Sequence, residues 1–471
     1  MSGKRKGLSH HMIATFTKHL RFARALNSRP YAMVWIGQSL SGLGDGIFYI
    51  ALAWQVVLMT HSGTAMGLVL VASTIPRLIF MLIGGVTADR LPRRMIILWS
   101  DGGRGVVVLL ISILGFAGLL QFWHLVIESL IFGVVDGFFM PAILSITPDL
   151  VEKDDLPSAN ALVSASQILT QLIGPILGAG LIALISPIGV FALNGLSFLL
   201  SVTFLLSVQI PERHVQSTSW QTGVPEGEGV PVASRGSVIE ENTWGESVAS
   251  ENGWDVGKVE ERQRGIAGVI ADMREGLFYV RSSRWLWVSI LCLSVGSMGM
   301  AGPITVAMPK LIHDVYGQGA WLLGFISSSV AMGSLLGLFF VGQTKRLKRR
   351  GLISYLSLIP AGFGIVLFGL PWSHTAFFVV GPIAGVMFGL SGAFFNTNWF
   401  TILQEMIPGD KLGRVISLTM LGSFAAIPIS QAVGGVLTDL LGPSLVFLLG
   451  GLLALSTNFL PLFVRDVREM E

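Results

Sequence analysis

Long apolar runs separated by short polar links set the pattern of this chain. Ala32 to Met59, Gly67 to Val86, Ile96 to Phe122 and Val190 to Val208 each reach the roughly 20 residues a helix needs to cross the hydrocarbon of a bilayer. The apolar core of a secretory leader is much shorter, so these runs read as retained spans. The pattern gives twelve of them, at 31–59, 65–88, 95–120, 123–148, 160–185, 188–209, 286–312, 320–344, 351–371, 375–402, 413–439 and 443–463. A helix satisfies all of its backbone N–H and C=O groups within one such segment, and lipid offers no other partner. The pattern therefore predicts an all-α membrane protein with twelve transmembrane helices.

Composition agrees. Hydrophobic residues make up 52% and charged residues 13%, about half the charged share of a soluble domain; mean hydropathy is +0.70. The position of the charge says more than its amount. If residues 1–29 are inside, 28 of the 31 Lys and Arg fall in inner segments, the bias expected of cytoplasmic loops. Lys310 falls outside, and Arg77 and Arg104 lie within spans. The expectation is a monomer in the cell inner (plasma) membrane with both termini cytoplasmic. Its net charge of +3 faces anionic lipid, with no call for a nucleic-acid partner. The single cysteine, Cys292, excludes an internal disulfide and reads as a packing residue. His61, His124, His313 and His374 fall at outer span ends and read as interfacial residues, so no metal or cofactor is expected.

The chain also repeats itself at an offset of 256 residues. Arg90, Leu91, Arg93 and Arg94 map onto Arg346, Leu347, Arg349 and Arg350; Phe132-Gly133 onto Phe388-Gly389; Phe138-Phe139 onto Phe394-Phe395; Leu156 onto Leu412; Gly178 onto Gly434. Matches spread from the second to the fifth span of each half predict two six-helix bundles of one orientation, related by a pseudo-two-fold axis. The parts are then a basic N-terminal segment (1–30), a first bundle (31–211), a cytoplasmic linker (212–284), a second bundle (285–465) and a short tail (466–471). Residues 212–264 hold too few bulky aliphatics to bury a core and read as a disordered tether. Ile266, Val269, Ile270, Met273, Leu277 and Phe278 follow helical spacing, which predicts an amphipathic helix near 266–280 lying on the membrane.

The link GGVTADRLPRR at 84–94 resembles the signature of the major facilitator superfamily, G-x-x-x-D-R/K-x-G-R/K-R/K, through Gly85, Asp89, Arg90, Arg93 and Arg94. Pro92 stands where the family has its last glycine. RPYAMVWIGQSLSGLGDGIFYIALAW, SDGGRG and PDLVEKDDLPSANAL look like the branch of proton-driven exporters that includes macrolide efflux pumps and the enterobactin exporter. The resemblance implies two bundles rocking around a midplane site, with the 84–94 link forming an interdomain latch in one access state. In the second copy Lys345 stands at the position of Asp89, so that copy can anchor but cannot repeat the acidic contact. GPILGAG resembles the exporter signature G-P-x-x-G-G of span five through Gly174, Pro175 and Gly178, which implies export. Small residues there let helices approach closely, and Pro175 removes a backbone donor.

Charges inside hydrocarbon cost a few kcal/mol each and mark function by default. Asp45, Arg77 and Asp136 sit about 12 to 14 residues from a span end, roughly 20 Å deep at 1.5 Å per residue. A carboxylate that moves between dry and wet settings, or toward and away from an arginine, takes up and releases a proton. Asp45 or Asp136 is therefore the expected proton carrier, with Arg77 biasing one of them. Glu128, nearer the outer end of span four, could receive protons or a cationic substrate from that side. Asp101 and Arg104, three apart on one helix face, read as a local ion pair. Candidate cavity residues are Phe138, Phe139, Gln167 and Gln171 in the first half. In the second half they are Phe394, Phe395, Asn396, Asn398, Trp399 and Gln431. Rings with a few amides suit amphipathic ligands.

The pattern fits a secondary exporter coupling protons to amphipathic small molecules or drugs. Siderophore or lysolipid export, or a receptor or scaffold that kept the fold without transport, are the other readings. The intact Asp45, Asp89 and Asp136 favour transport. No phosphate-binding loop, zinc-protease helix or serine-nucleophile elbow appears, so neither an enzyme nor an ATP-driven pump is expected.

Overall fold

Each apolar run forms a helix whose ends fall where the sequence supplies a cap or a break. The computed structural model describes residues 21–208, 274, 276–343 and 349–468. The first half holds α1 (Arg29–Thr60), α2 (Gly63–Arg90), α3 (Arg93–Phe116), α4 (Phe122–Leu150) and α5 (Leu156–Ser207). The second holds α6 (Arg284–Gly302), α7 (Ala320–Gln343), α8 (Arg350–Ser357), α9 (Ile359–Gly369), α10 (His374–Met406), α11 (Gly409–Leu441) and α12 (Pro443–Phe459). The hydroxyls of Ser62 and Ser373 accept from Ala65 N and Ala376 N, capping α2 and α10. Gly442, at φ 81, turns α11 into α12, where Pro443 starts the next helix.

At 52 residues α5 is about 78 Å long if straight, far beyond a bilayer. Ser186, at φ 66 and ψ 165 and followed by Pro187, folds it into two arms, 156–185 and 187–207. Tyr31 Oη donates to the Ala159 carbonyl at one end, and Arg94 donates to the Leu205 carbonyl at the other. Both ends thus lie on the face where α1 begins, while Ser112, near the far end of α3, donates to Ile188 beside the turn. Eleven described helices or helix runs are long and apolar enough to span a membrane, and counting α5 as two arms gives twelve segments. After Gly302 the chain stays helical through two π turns, Pro303–Ala307 and Leu311–Val315, and α8 with α9 makes one span broken at Leu358. The face of Arg93, Arg94 and Arg350 is called inner here, and the face of His61, Lys310 and Asp439 outer.

The repeated residues perform equivalent packing in both halves. Gly133 of α4 presses on the Ser73 carbonyl of α2, and Gly389 of α10 presses on the Val330 carbonyl of α7. Gly178 of α5 lies against Ile47 of α1, as Gly434 of α11 lies against Gly302 at the end of α6. Lipid does not push helices together, so backbone approach at small residues supplies the contact. At the inner ends Arg93 pairs with Asp149 at 2.7 Å, and Arg350 pairs with Glu405. The two acids are 256 positions apart, so they keep the repeat's offset.

Residues 1–20, the linker 209–273 and residues 344–348 and 469–471 lie outside the described residues, as does most of the expected surface helix; 276–282 are helical. Gly133→Leu and Gly389→Leu are each expected to cost about 1–3 kcal/mol, because the new side chain meets backbone. Gly85→Ala, inside α2 where an added Cβ meets nothing, should instead be neutral or stabilising by up to about 1 kcal/mol. Apparent Tm values of the purified protein in detergent check all three.

Candidate functional site

The polar centre of the first half is built on α3. Asp101 and Arg104 lie three apart on one helix face, and Arg104 Nη2 donates to Asp101 Oδ1 at 2.7 Å. Asp101 is fully buried, and its other oxygen accepts from Ser201 Oγ at 2.7 Å and Gln38 Nε2 at 2.8 Å. The lost hydration of the carboxylate is therefore replaced by groups from α1, α3 and the second arm of α5. The Arg104 guanidinium sits between two rings, 4.4 Å from the centroid of Phe139 and 4.6 Å from that of Phe198, a cation–π arrangement in a dry setting. Its Nη1 reaches Asp136 Oδ1 of α4 at 3.1 Å and Asp45 Oδ2 of α1 at 3.7 Å. Asn194 Nδ2 approaches the second oxygen of Asp45 at 3.4 Å.

Three carboxylates thus face one guanidinium. Side-chain exposure divides them: Asp101 is 0% and Arg104 3% exposed, whereas Asp136 is 27% and Asp45 40%. The inner pair is a fixed support, and the outer two acids can be reached. A cavity of about 310 Å³ adjoins Asp45, lined also by Arg104, Phe139, Gln167 and Gln171 and running to Tyr31 and Leu150 at the inner end, while Asp136 is not among its walls.

Several expectations change. Arg77 is exposed on α2 and takes part in no ion pair among the described residues, so the cation beside Asp45 and Asp136 is Arg104. Depth along a span ranks these arginines similarly, whereas the direction in which each helix faces separates them. Glu128 is 1% exposed, accepts from Ser129 Oγ at 3.2 Å and is closed off from the outer side in this state. Gln431 lines no cavity described here; its Oε1 accepts from Thr74 Oγ1 at 3.1 Å and so joins the halves. In the second half Phe395, Asn396 and Trp399 line a cavity of about 350 Å³ with Ser297, Thr419 and Phe424, while Phe394 and Asn398 are not among its walls. Phe395 and Trp399 stack at 5.9 Å, and Phe138 packs on Phe80 at 5.6 Å.

The two signature segments lie at helix contacts. Gly174 meets Gly46, and Pro175 and Ala179 face Gly324 of α7, so GPILGAG touches the other half. In the 84–94 link, Arg93 donates to Asp149 and to the Ser145 carbonyl, both at 2.7 Å, and Arg94 donates to the carbonyls of Leu205 and Leu206 at the end of α5. Cations at the carbonyl ends of helices are favoured by the helix dipole. The side chains of Asp89 and Arg90, and with them the expected latch, lie outside the described residues.

At the outer face the halves are joined by Asp439 of α11. It accepts from Ser62 Oγ at 2.6 Å, Gly63 N at 2.7 Å and Thr64 N at 2.8 Å, capping α2 from across the seam, and from Lys310 Nζ at 2.6 Å. Sequence reading missed this contact. Its signal was Lys310, the basic residue that broke the inner-face bias.

Residues 34–391 match the family profile described as Major Facilitator Superfamily. Macrolide efflux protein A of Streptococcus pyogenes is 22% identical over 440 residues, 93% of this chain and 96% of that protein. The enterobactin exporter EntS of Escherichia coli O1:K1 / APEC is 24% identical over 427 residues, 89% of this chain and 88% of that protein. Among solved structures, a bacterial homologue of the iron transporter ferroportin in an inward-facing state superposes with a TM-score of 0.63 at 16% identity, covering 92% of this chain and 98% of that one. A mutant form of the nucleoside transporter NupG gives 0.62 at 12% identity, covering 92% and 99%.

Removing one partner of a buried ion pair strands the other. Arg104→Met is expected to cost about 3–5 kcal/mol, and adding Asp101→Asn should recover much of that loss. Thermal unfolding of the two variants against wild type is the measurement.

Proposed function

Because the chain belongs to the major facilitator superfamily, we propose that it is a secondary exporter exchanging protons for amphipathic small molecules by alternating access of its two bundles. The observation that carries this reading is the grouping of Asp45, Asp136 and Arg104, with Asp45 and Arg104 in the wall of a cavity. One guanidinium cannot neutralise Asp101, Asp136 and Asp45 together, and the low-dielectric interior penalises the surplus negative charge. A proton on Asp45 or Asp136 removes one of the two surplus charges. A conformational step that moves either acid relative to Arg104, or changes its access to water, alters how firmly that proton is held. Asp101, already satisfied by Arg104, Gln38 and Ser201, keeps the guanidinium in place through the cycle.

The second half complements this with a wall for cargo. Phe395, Trp399 and Phe424 offer broad apolar contact, while Asn396, Ser297 and Thr419 supply a few hydrogen bonds. The curated relatives carry the names of different cargoes, a macrolide and enterobactin, so the proposal is a class, amphipathic organic molecules. Location in the cell inner membrane and outward transport follow from the same reading.

Inverted vesicles with an imposed pH gradient test it. Wild type is expected to accumulate a dye or macrolide in response to the gradient, and Asp136→Asn or Asp45→Asn should reduce that accumulation by on the order of tenfold or more. Full gradient-driven transport by both variants would remove these acids from the coupling step.

A further inference from the structure

The outer face gathers three side chains that the transport reading does not use. His61 follows α1 and belongs to the first half; His313 and Asp314 lie in the π turn Leu311–Val315 of the second. One ligand atom from each can be chosen so that all three lie within 4.8 Å of one another. Asp314 Oδ1 is 2.7 Å from His313 Nδ1 and 3.6 Å from His61 Nδ1. We propose that His61, His313 and Asp314 form a transition-metal site of the zinc class, assembled from both halves and complete only while the outer face is closed.

Donor chemistry and spacing support this. Two imidazoles and a carboxylate suit Zn²⁺, whose bonds of about 2.0–2.1 Å hold tetrahedral ligand atoms about 3.3 Å apart. The two His–Asp distances fall on either side of that value. Side-chain exposures of 60% for His61, 27% for His313 and 30% for Asp314 leave the group reachable from water, with room for water as a fourth ligand. The scaffold restrains the ligands. His61 is held at φ 49 by its backbone N–H donating to the Val57 carbonyl, and the His313 ring stands edge-on to Trp54 at 5.5 Å. The nearby cation Lys310 is occupied by Asp439 at 2.6 Å, so its charge does not face the metal unanswered.

An ion bound to both halves favours the state in which they meet, and by linkage whatever stabilises that state raises the apparent metal affinity. Zinc is therefore a brake on the cycle applied from outside. That consequence rests on the exporter reading, whereas binding does not.

Titrating ZnCl₂ into the purified full-length protein by calorimetry tests the site. His61→Asn keeps a residue that accepts a left-handed φ, which protects the fold. It and His313→Gln are each expected to weaken zinc binding by on the order of tenfold or more, whereas His374→Gln should change nothing. Zinc held by histidines other than His61, His313 and His374 is common to all variants and cancels in the comparison. Asp439→Asn, which is no ligand but loosens the seam, should lower apparent affinity several-fold. Affinity unchanged in His61→Asn overturns the site, and affinity lost there yet unchanged in Asp439→Asn overturns its dependence on closure. External zinc that binds but leaves transport untouched counts against the brake alone.

Discussion

A guanidinium inside hydrocarbon must be answered by the protein around it, and Arg104 organises the first half through that demand. Asp101 meets most of its charge, and Asp101 in turn takes Gln38 from α1 and Ser201 from the second arm of α5. Asp136 brings α4 to the same point. One buried cation therefore draws together four helices, and the cavity opens beside that centre with Asp45 and Arg104 in its wall.

The second half shares the scaffold and lacks the centre. At the repeat's offset, Asp45, Asp101, Arg104 and Asp136 correspond to Ala301, Ser357, Pro360 and Gly392. The packing glycines and an inner Arg–acid pair persist in both copies, with the acids at the offset and the second arginine, Arg350, at the position of Arg94. Duplication preserved what holds helices together and let the interiors diverge, one toward charge and the other toward aromatic surface. Where the halves meet, small residues dominate, with Gly63 and Gly67 of α2 against the α11 backbone and Gly324 against Pro175. Contacts of that kind favour close approach without directional bonds, so the polar ties at the outer end, Asp439 above all, fix the register.

Much of this was legible in the sequence, because a span is a one-dimensional signal. Hydropathy alone gave the segments, and the 256-residue offset gave the two bundles. What failed was direction. Arg77 and Arg104 are both arginines deep in apolar runs, and with apolar residues on every side no periodicity tells which faces inward. The same blindness put Gln431 in a cavity when it reaches Thr74 across the seam. Asp439 escaped notice and His61 read only as interfacial, because span ends are ordinary places for polar residues, and only the fold shows that their neighbours come from the other half.

The turn at Ser186 links these features mechanically. Two membrane crossings normally meet through a loop that absorbs differences in tilt, but here a single non-helical residue separates the arms of α5. One arm carries Gly174 and Pro175 against α1 and α7, and the other carries Asn194 and Ser201 beside Asp45 and Asp101. A hinge without slack transmits rotation. The two arms therefore cannot tilt independently, so packing at the seam around Gly324 is coupled through Ser186 to the arm whose Asn194 and Ser201 touch Asp45 and Asp101.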